Sequence, residues 1–470
     1  MPFNPVRSSK KIKETYLSYL RTVFKLADQD YANQFNKELA KESAFAAGPY
    51  LDVTDSFKIG HNLLDLVKAN ELSAAFHKVD IPMTRPLYKH QEEAIARVCA
   101  GNNVVVSTGT GSGKTEAFLV PVFNHLMREA ERGQLGPGVR ALFIYPMNAL
   151  ANDQVERLRG ILANYQTITY GSYTGQTRYR KLEALNEYRS LNNGQSPLKN
   201  ELISREQMIA SPPHILITNY AMLEYLMIRP QESTFFSAAL AGKWKFIVLD
   251  EAHVYHGSTG IEVAMLLRRL KAKLQNNKLQ YILTSATLGG EGDNDKVAKF
   301  ASDLCNSSFK ADDVIRAQRT VPVTTKKYRH LPKEFYRTIA DLIENGSKET
   351  DILNKIKATG IALKNWQSLP QALYNIVLHD AAYPKIREAL QQPLTINKLA
   401  QKMGWEAEDV VNFVTMASRA EDNCIKLFDA RYHMFLRATE SVFITLPPNK
   451  KLFITRKKKH YETDGKDYKV

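Results

Sequence analysis

The sequence predicts an α/β protein built on a mostly parallel sheet, with helical regions before and after it in the chain. Three observations carry this. Val104–Val106 is a β-branched run that enters a glycine-rich turn, and the stretch from Lys114, KTEAFLVPVFNHLM, has the three- and four-residue apolar spacing of a helix. Further apolar runs at 139–146, 168–175, 215–220, 246–253 and 280–287 each end in polar residues. Helical patterns separate several of these runs, and that alternation implies crossover units on a parallel sheet.

The first strand and its turn read VVVSTGTGSGKTE, Val104 to Glu116. Gly109, Gly111 and Gly113 permit backbone conformations closed to residues with a Cβ, so successive N–H groups can converge on one anion at a helix N-terminus. Thr108, Gly109, Thr110, Gly111, Ser112, Gly113, Lys114, Thr115 and Glu116 are the candidate cofactor-binding residues. Lys114 would reach the β- and γ-phosphates, and the Thr115 hydroxyl would ligate Mg²⁺. The alternative is a glycine turn with an incidental lysine, and the order of strand, loop, Lys-Thr and helix argues against it.

Length and charge set the frame around this loop. A chain of 470 residues exceeds one compact core, so two or three domains are expected. A hydrophobic content of 44% with 24% charged residues is that of a globular protein, and a net charge of +15 points to a polyanionic partner, nucleic acid before an anionic membrane surface. Cys99, Cys305 and Cys424 lie far apart with no CxxC pair, so neither a disulfide framework nor a cysteine zinc site is suggested. The basic N-terminus lacks a signal-peptide core, and no run of about 18 apolar residues occurs. A cytoplasmic location is expected.

Residues 1–80 read as a helical N-terminal region, with GPYLDVTDSF as an extended connector. Pro86 to Gln91 then precedes the helix that leads into the loop. The Gln91 amide offers a donor and an acceptor that match the N6 and N7 edge of adenine, and Tyr88 is placed to pack near the base. After the loop helix, the strand ends carry Pro146 and Asn148, then Thr174-Gly175, then Thr218-Asn219. Open parallel sheets bind ligands at those ends. Asn148 and Gln154, at a helix start, suit phosphate contacts without base reading, against simple capping as the alternative.

PheIleValLeuAspGluAlaHis, 246–253, places two adjacent carboxylates at a strand end, where they project differently. One can face a metal and the other an attacking water. Ser285-Ala286-Thr287 follows a buried strand some thirty residues on.

Taken together, TGTGSGKT, YPMNALANDQ, the DEAH box and Ser-Ala-Thr resemble the motif series of the superfamily 2 DEAD/DEAH-box helicases over residues from about 85 to 290. The resemblance implies a RecA-like P-loop NTPase lobe at 81–310 that uses ATP and Mg²⁺. It implies Gln91 as the adenine reader, Asp250 as the Mg²⁺ partner and Glu251 as the base. Lys114 joins them as the third catalytic residue. His253 would form a coupling hydrogen bond at the cofactor site, with Ser285, Ala286 and Thr287 linking hydrolysis to the nucleic-acid face. Pro146, Asn148, Gln154, Thr174, Gly175, Thr218 and Asn219 would meet the nucleic-acid backbone.

Past 310 the pattern changes. Residues 311–332 read as a basic linker and 333–446 as a helical region in which 393–418 has a helix-turn-helix layout centred on Gly404. It resembles a winged-helix module. Its second helix opens on three acids that repel phosphates, so a packing role is favoured over DNA contact. Residues 447–470 read as a basic hairpin with a turn at Asp464-Gly465 and a candidate backbone-contacting cluster at Arg456 to Lys459.

The sequence thus reads as the ATP-binding half of a nucleic-acid helicase or translocase, with DNA favoured over RNA by resemblance to large bacterial DEAD/DEAH helicases, some of which serve in DNA repair or antiphage defence. A second RecA-like lobe, downstream or on a partner subunit, is expected to complete it. A P-loop switch or kinase is disfavoured by the later motifs. A catalytically silent scaffold that binds nucleotide and nucleic acid is the alternative.

Overall fold

The computed structural model describes residues 4–41, 45–109, 111–322, 329–361, 368–437, 441–445, 450–455, 461–463 and 466–468. They form two compact units, Phe57–Arg319 and a unit that joins Met1–Ser56 to Thr320–Val470.

The Phe57–Arg319 unit is built on an eight-stranded parallel sheet. Its strands are β1 (Val104–Ser107), β2 (Ala141–Tyr145), β3 (Tyr170–Ser172), β4 (Glu201–Leu202), β5 (Ile215–Asn219), β6 (Phe246–Leu249), β7 (Gln280–Ser285) and β8 (Val314–Arg316). They run in the order β8-β1-β7-β6-β2-β5-β3-β4. Every residue of β1, β2, β6 and β7 is buried, as expected where helices cover both faces. Val104, Val106, Phe143 and Val248 fill one core, while Val105, Leu142, Ile247 and Leu283 fill the other. This is the parallel sheet that the alternation implied, in the form of the RecA-like lobe that the resemblance implied.

Six helices matter for the site: α1 (Lys89–Cys99), α2 (Lys114–Glu131), α3 (Asn148–Leu162), α4 (Tyr220–Ile228), α5 (Gly257–Leu274) and α6 (Asn294–Cys305). Register does the placing. Ser285 pairs with Ser107, and Leu283 pairs with Leu249, so the segments after β1, β6 and β7 emerge side by side at one sheet edge.

Two boundaries differ from the sequence reading. Leu63, Leu66, Leu72 and Phe76 pack into the core of the lobe, and Ile59–Asn62 pairs with Pro86–Tyr88, so residues 57–80 of the expected 1–80 region lie in the lobe. Val314–Arg316, expected in a linker, is the edge strand β8 beside β1. Three residues between polar neighbours are too short a run to signal a strand.

In the second unit, Ala46–Thr54 is the middle strand of a three-stranded antiparallel sheet, between Leu394–Thr395 and Asp429–Leu436. The expected connector is therefore a strand. Ile396–Met403 and Ala407–Ser418 form the helix-turn-helix, with Gly404 at φ 65° closing the first helix. At such an angle glycine is favoured because it carries no Cβ. Leu452–Thr455 pairs with Ser441–Ile444, which differs from the single hairpin expected over 447–470, while Tyr461–Thr463 pairs with Lys466–Tyr468. Asp464, Gly465 and the Arg456 to Lys459 cluster lie outside the described residues.

Candidate nucleotide site and strand-end face

β1 ends at Ser107 and α2 begins at Lys114, so six residues must turn the chain from strand to helix. Gly111 at φ 77° and Gly113 at φ 69° take the left-handed backbone this requires. A Cβ on Gly113 would lie 2.2 Å from Gln91 Nε2, so the loop also needs glycine there for close approach. Gly109 keeps an ordinary φ with open space around it, and its backbone makes no such demand. Thr110 lies outside the described residues. The Thr108 and Ser112 hydroxyls, both on buried residues, share a 2.6 Å hydrogen bond that ties the loop's two ends. The N-terminus of α2 aims its first N–H groups into this turn, which makes it a fit cradle for an anion.

Lys114 Nζ lies 3.4 Å from Thr108 O and 3.6 Å from Glu251 Oε1. Thr115, the next residue of α2, is half-buried. Asp250 Oδ1 accepts hydrogen bonds from the Thr284 hydroxyl and, at 3.1 Å, from Glu251 N. Burial pushes the Asp250 carboxyl above the usual carboxylate range, and Glu251 beside it adds to this, while the Thr284 hydroxyl and Lys114 pull back.

Glu251 sits at φ 49°, unusual for a residue with a side chain and of the kind that collects at functional sites. Its Oε2 lies 3.3 Å from His253 Nδ1, which in turn meets Ser285 Oγ at 3.2 Å. Ser285 Oγ accepts from Thr287 N at 3.2 Å, and Ser285 O accepts from Thr108 N at 3.0 Å. The Ser-Ala-Thr segment, with Ala286 half-buried inside it, therefore touches both the DEAH box and the phosphate loop.

Thr284 is a residue that sequence reasoning missed. It belongs to a strand whose register with β6 sets it beside Asp250, and only strand order reveals that. His90 was missed as well: its buried ring meets Ser112 O at 2.9 Å through Nε2, and burial lowers its pKa, so the neutral ring supports the loop.

Several of the expected contact residues hold partners within the chain. The Gln91 amide is buried, accepts from Tyr88 N and donates to Gly113 O, each at 2.8 Å, so it braces the loop and keeps one N–H and one lone pair uncommitted. Tyr88 stacks on His90 at 5.6 Å and packs against Phe57. Glu116, expected among the cofactor-binding residues, pairs with Arg157 at 2.7 Å and Arg85 at 3.4 Å. Gln154 lies on the inner face of α3 with Ala151 and Leu158, because their spacing sets all three toward the core. Thr218 is fully buried and donates to Tyr173 O at 2.6 Å, and Thr174 is buried in a turn with Thr177. Asn148 and Asn219 do come together, joined by a 2.8 Å hydrogen bond, with exposed Gly175 and half-buried Pro146 also at strand ends.

The donor set fits Mg²⁺. Among the described residues no group of three or more His, Cys, Asp or Glu could hold a metal by itself, whereas a hydroxyl and one carboxylate completed by phosphate oxygens suit this cation. A consequence follows for stability. A carboxyl whose folded pKa is raised destabilises the fold once pH rises through that pKa, so Asp250→Asn should raise the Tm of the nucleotide-free protein at neutral pH. The gain should shrink below about pH 4, where the unfolded carboxyl is also protonated. Melting curves at both pH values check it.

Residues 88–294 match the family model of the DEAD/DEAH box helicases. The match takes in the phosphate loop, the DEAH box and the Ser-Ala-Thr segment. Druantia protein DruE of Escherichia coli is 28% identical over 403 residues, 66% of this chain and 22% of that protein. ATP-dependent helicase hrq1 of Schizosaccharomyces pombe is 30% identical over 204 residues, 43% of this chain and 16% of its own length. The chain thus spans about a fifth of the length of these curated relatives. Among solved structures, DUF1998 helicase MrfA bound to DNA aligns with a TM-score of 0.43 at 20% identity, covering 67% of this chain and 39% of that one. No helix among the described residues is long and apolar enough to cross a membrane.

Proposed function

We propose that this chain binds and hydrolyses ATP as the ATP-binding half of a nucleic-acid motor, with DNA as the preferred partner. One observation carries the reading. Lys114, the contiguous Asp250, Glu251 and His253, and Ser285 converge from three separate segments on one sheet edge, within a stretch that matches the helicase family model. Gly111, Gly113 and the start of α2 would bind the phosphates, and Lys114 would shift from Glu251 to the β- and γ-phosphates. Bound Mg²⁺, held through Thr115 and Asp250, would neutralise charge on the phosphates. Glu251, once released from Lys114, would orient and deprotonate the attacking water. His253 and Ser285 would relay the state of Glu251 to the segment after β7.

Asn148, Asn219, Gly175 and Pro146 would face the nucleic-acid backbone, and the net charge of +15 favours such a partner. The likeness to DruE supports a role in antiphage defence, with DNA repair the alternative setting. ATP turnover measured with DNA or RNA oligonucleotides over a salt series tests this. Turnover should rise with DNA, with little sequence preference, and the concentration needed should climb steeply with salt. Asn148→Asp, which adds a charge facing phosphate, should raise that concentration about tenfold at low salt. Turnover indifferent to every nucleic acid would contradict the motor reading.

A further inference from the structure

The second unit holds a cavity of about 810 Å³ that the helicase motifs do not account for. That volume is within the range of small-ligand sites. Its lining includes half-buried Trp405 and the fully buried Tyr336, whose rings lie 5.6 Å apart, together with Lys333, Lys385, Lys402 and His330. An aromatic platform ringed by cations is the combination that takes a base and its phosphate.

Several of the acids nearby are offset. Asp409, in the first turn of the second helix of the helix-turn-helix, lies 3.0 Å from Lys333 and 3.7 Å from Arg337. Glu408 pairs with Arg7 at 3.5 Å. Asp380, in the cavity wall, accepts from the Tyr336 hydroxyl at 2.6 Å and from Ala382 N at 2.9 Å, and burial raises its carboxyl toward the neutral form. Of the three acids that open the second helix, Glu408 and Asp409 are ion-paired, while Glu406, like Glu388 in the cavity lining, holds no ion pair among the described residues. Lys385 and Lys402 are exposed and hold no ion pair among the described residues. Lys333 Nζ lies 5.8 Å from the Trp405 ring centroid, so a base arriving on that face would displace an ammonium that can turn to its phosphate.

We propose that this cavity binds one unstacked nucleotide of a single strand, with the base on Trp405 and the phosphate held by Lys385 and Lys402. The proposal rests on the nucleic-acid reading above and places a contact outside the helicase domain. Anisotropy of a labelled oligothymidylate, titrated with the full chain in the absence of ATP, tests it. Trp405→Ala should weaken binding about tenfold, the loss of one base stack, and Trp405→Phe should retain most of the affinity. Lys385→Glu with Lys402→Glu alters exposed residues alone, so the fold should persist. It should weaken binding and flatten the salt dependence. Unlabelled thymidine monophosphate should compete poorly. If the double charge reversal left affinity unchanged while Asn148→Asp reduced it, the proposal would fail and the motor reading would stand. Equal competition by the monophosphate would instead assign the cavity to a free nucleotide and overturn it. Wild-type protein that bound no oligonucleotide would overturn both.

Discussion

Replacing Glu251 by Gln should leave ATP binding near the wild-type level and lower hydrolysis by about 10²–10⁴-fold, the usual contribution of a positioned general base. The amide keeps the size and shape of the carboxylate but cannot accept the proton of the attacking water. Glu251 Oε1 faces Lys114 at 3.6 Å and Oε2 faces His253 at 3.3 Å, so the same change weakens two charged contacts without opening a cavity. Single-turnover hydrolysis alongside nucleotide titration separates the effects. Hydrolysis at the wild-type rate would remove Glu251 from the role of base.

Lys114→Ala should act one step earlier and reduce affinity for ATP by about 10–100-fold, the worth of one charge-assisted hydrogen bond to a buried partner. ADP affinity should fall too, since the lysine reaches the β-phosphate in this reading. The fold should tolerate the change: Lys114 opens α2, and alanine is a strong helix former. A fluorescent ATP analogue titrated against both proteins measures it. Unchanged affinity would mean that the phosphates lie elsewhere.

These two residues were legible because each sits in a short stretch whose chemistry is local. The turn needs Gly111 and Gly113 for its backbone, and the acids need a strand to set them at an edge. Buried strands are also readable one at a time, and their alternation with helices is enough to imply a parallel sheet. Side-chain direction was harder. Gln154 looks like a polar residue at a helix start, but the α-helical period puts it on the face of Ala151 and Leu158. Thr218 and Thr174 look like contact residues at strand ends, but both hydroxyls serve the chain itself. Thr284 needed the strand order to be known before its link to Asp250 could be seen. Ala46–Thr54 pairs with Asp429–Leu436, and nothing local in GPYLDVTDSF announces a partner so distant in the chain. The division into units was hidden for the same reason.

A crystal structure of the chain with ADP and Mg²⁺ tests the central claim most directly. The account predicts the β-phosphate in the turn formed by Gly111 and Gly113, Lys114 Nζ moved from Glu251 to a phosphate oxygen, and Mg²⁺ on the Thr115 hydroxyl with Asp250 facing its water shell. A nucleotide bound away from this turn, with Lys114 still against Thr108 O and Glu251, would contradict it.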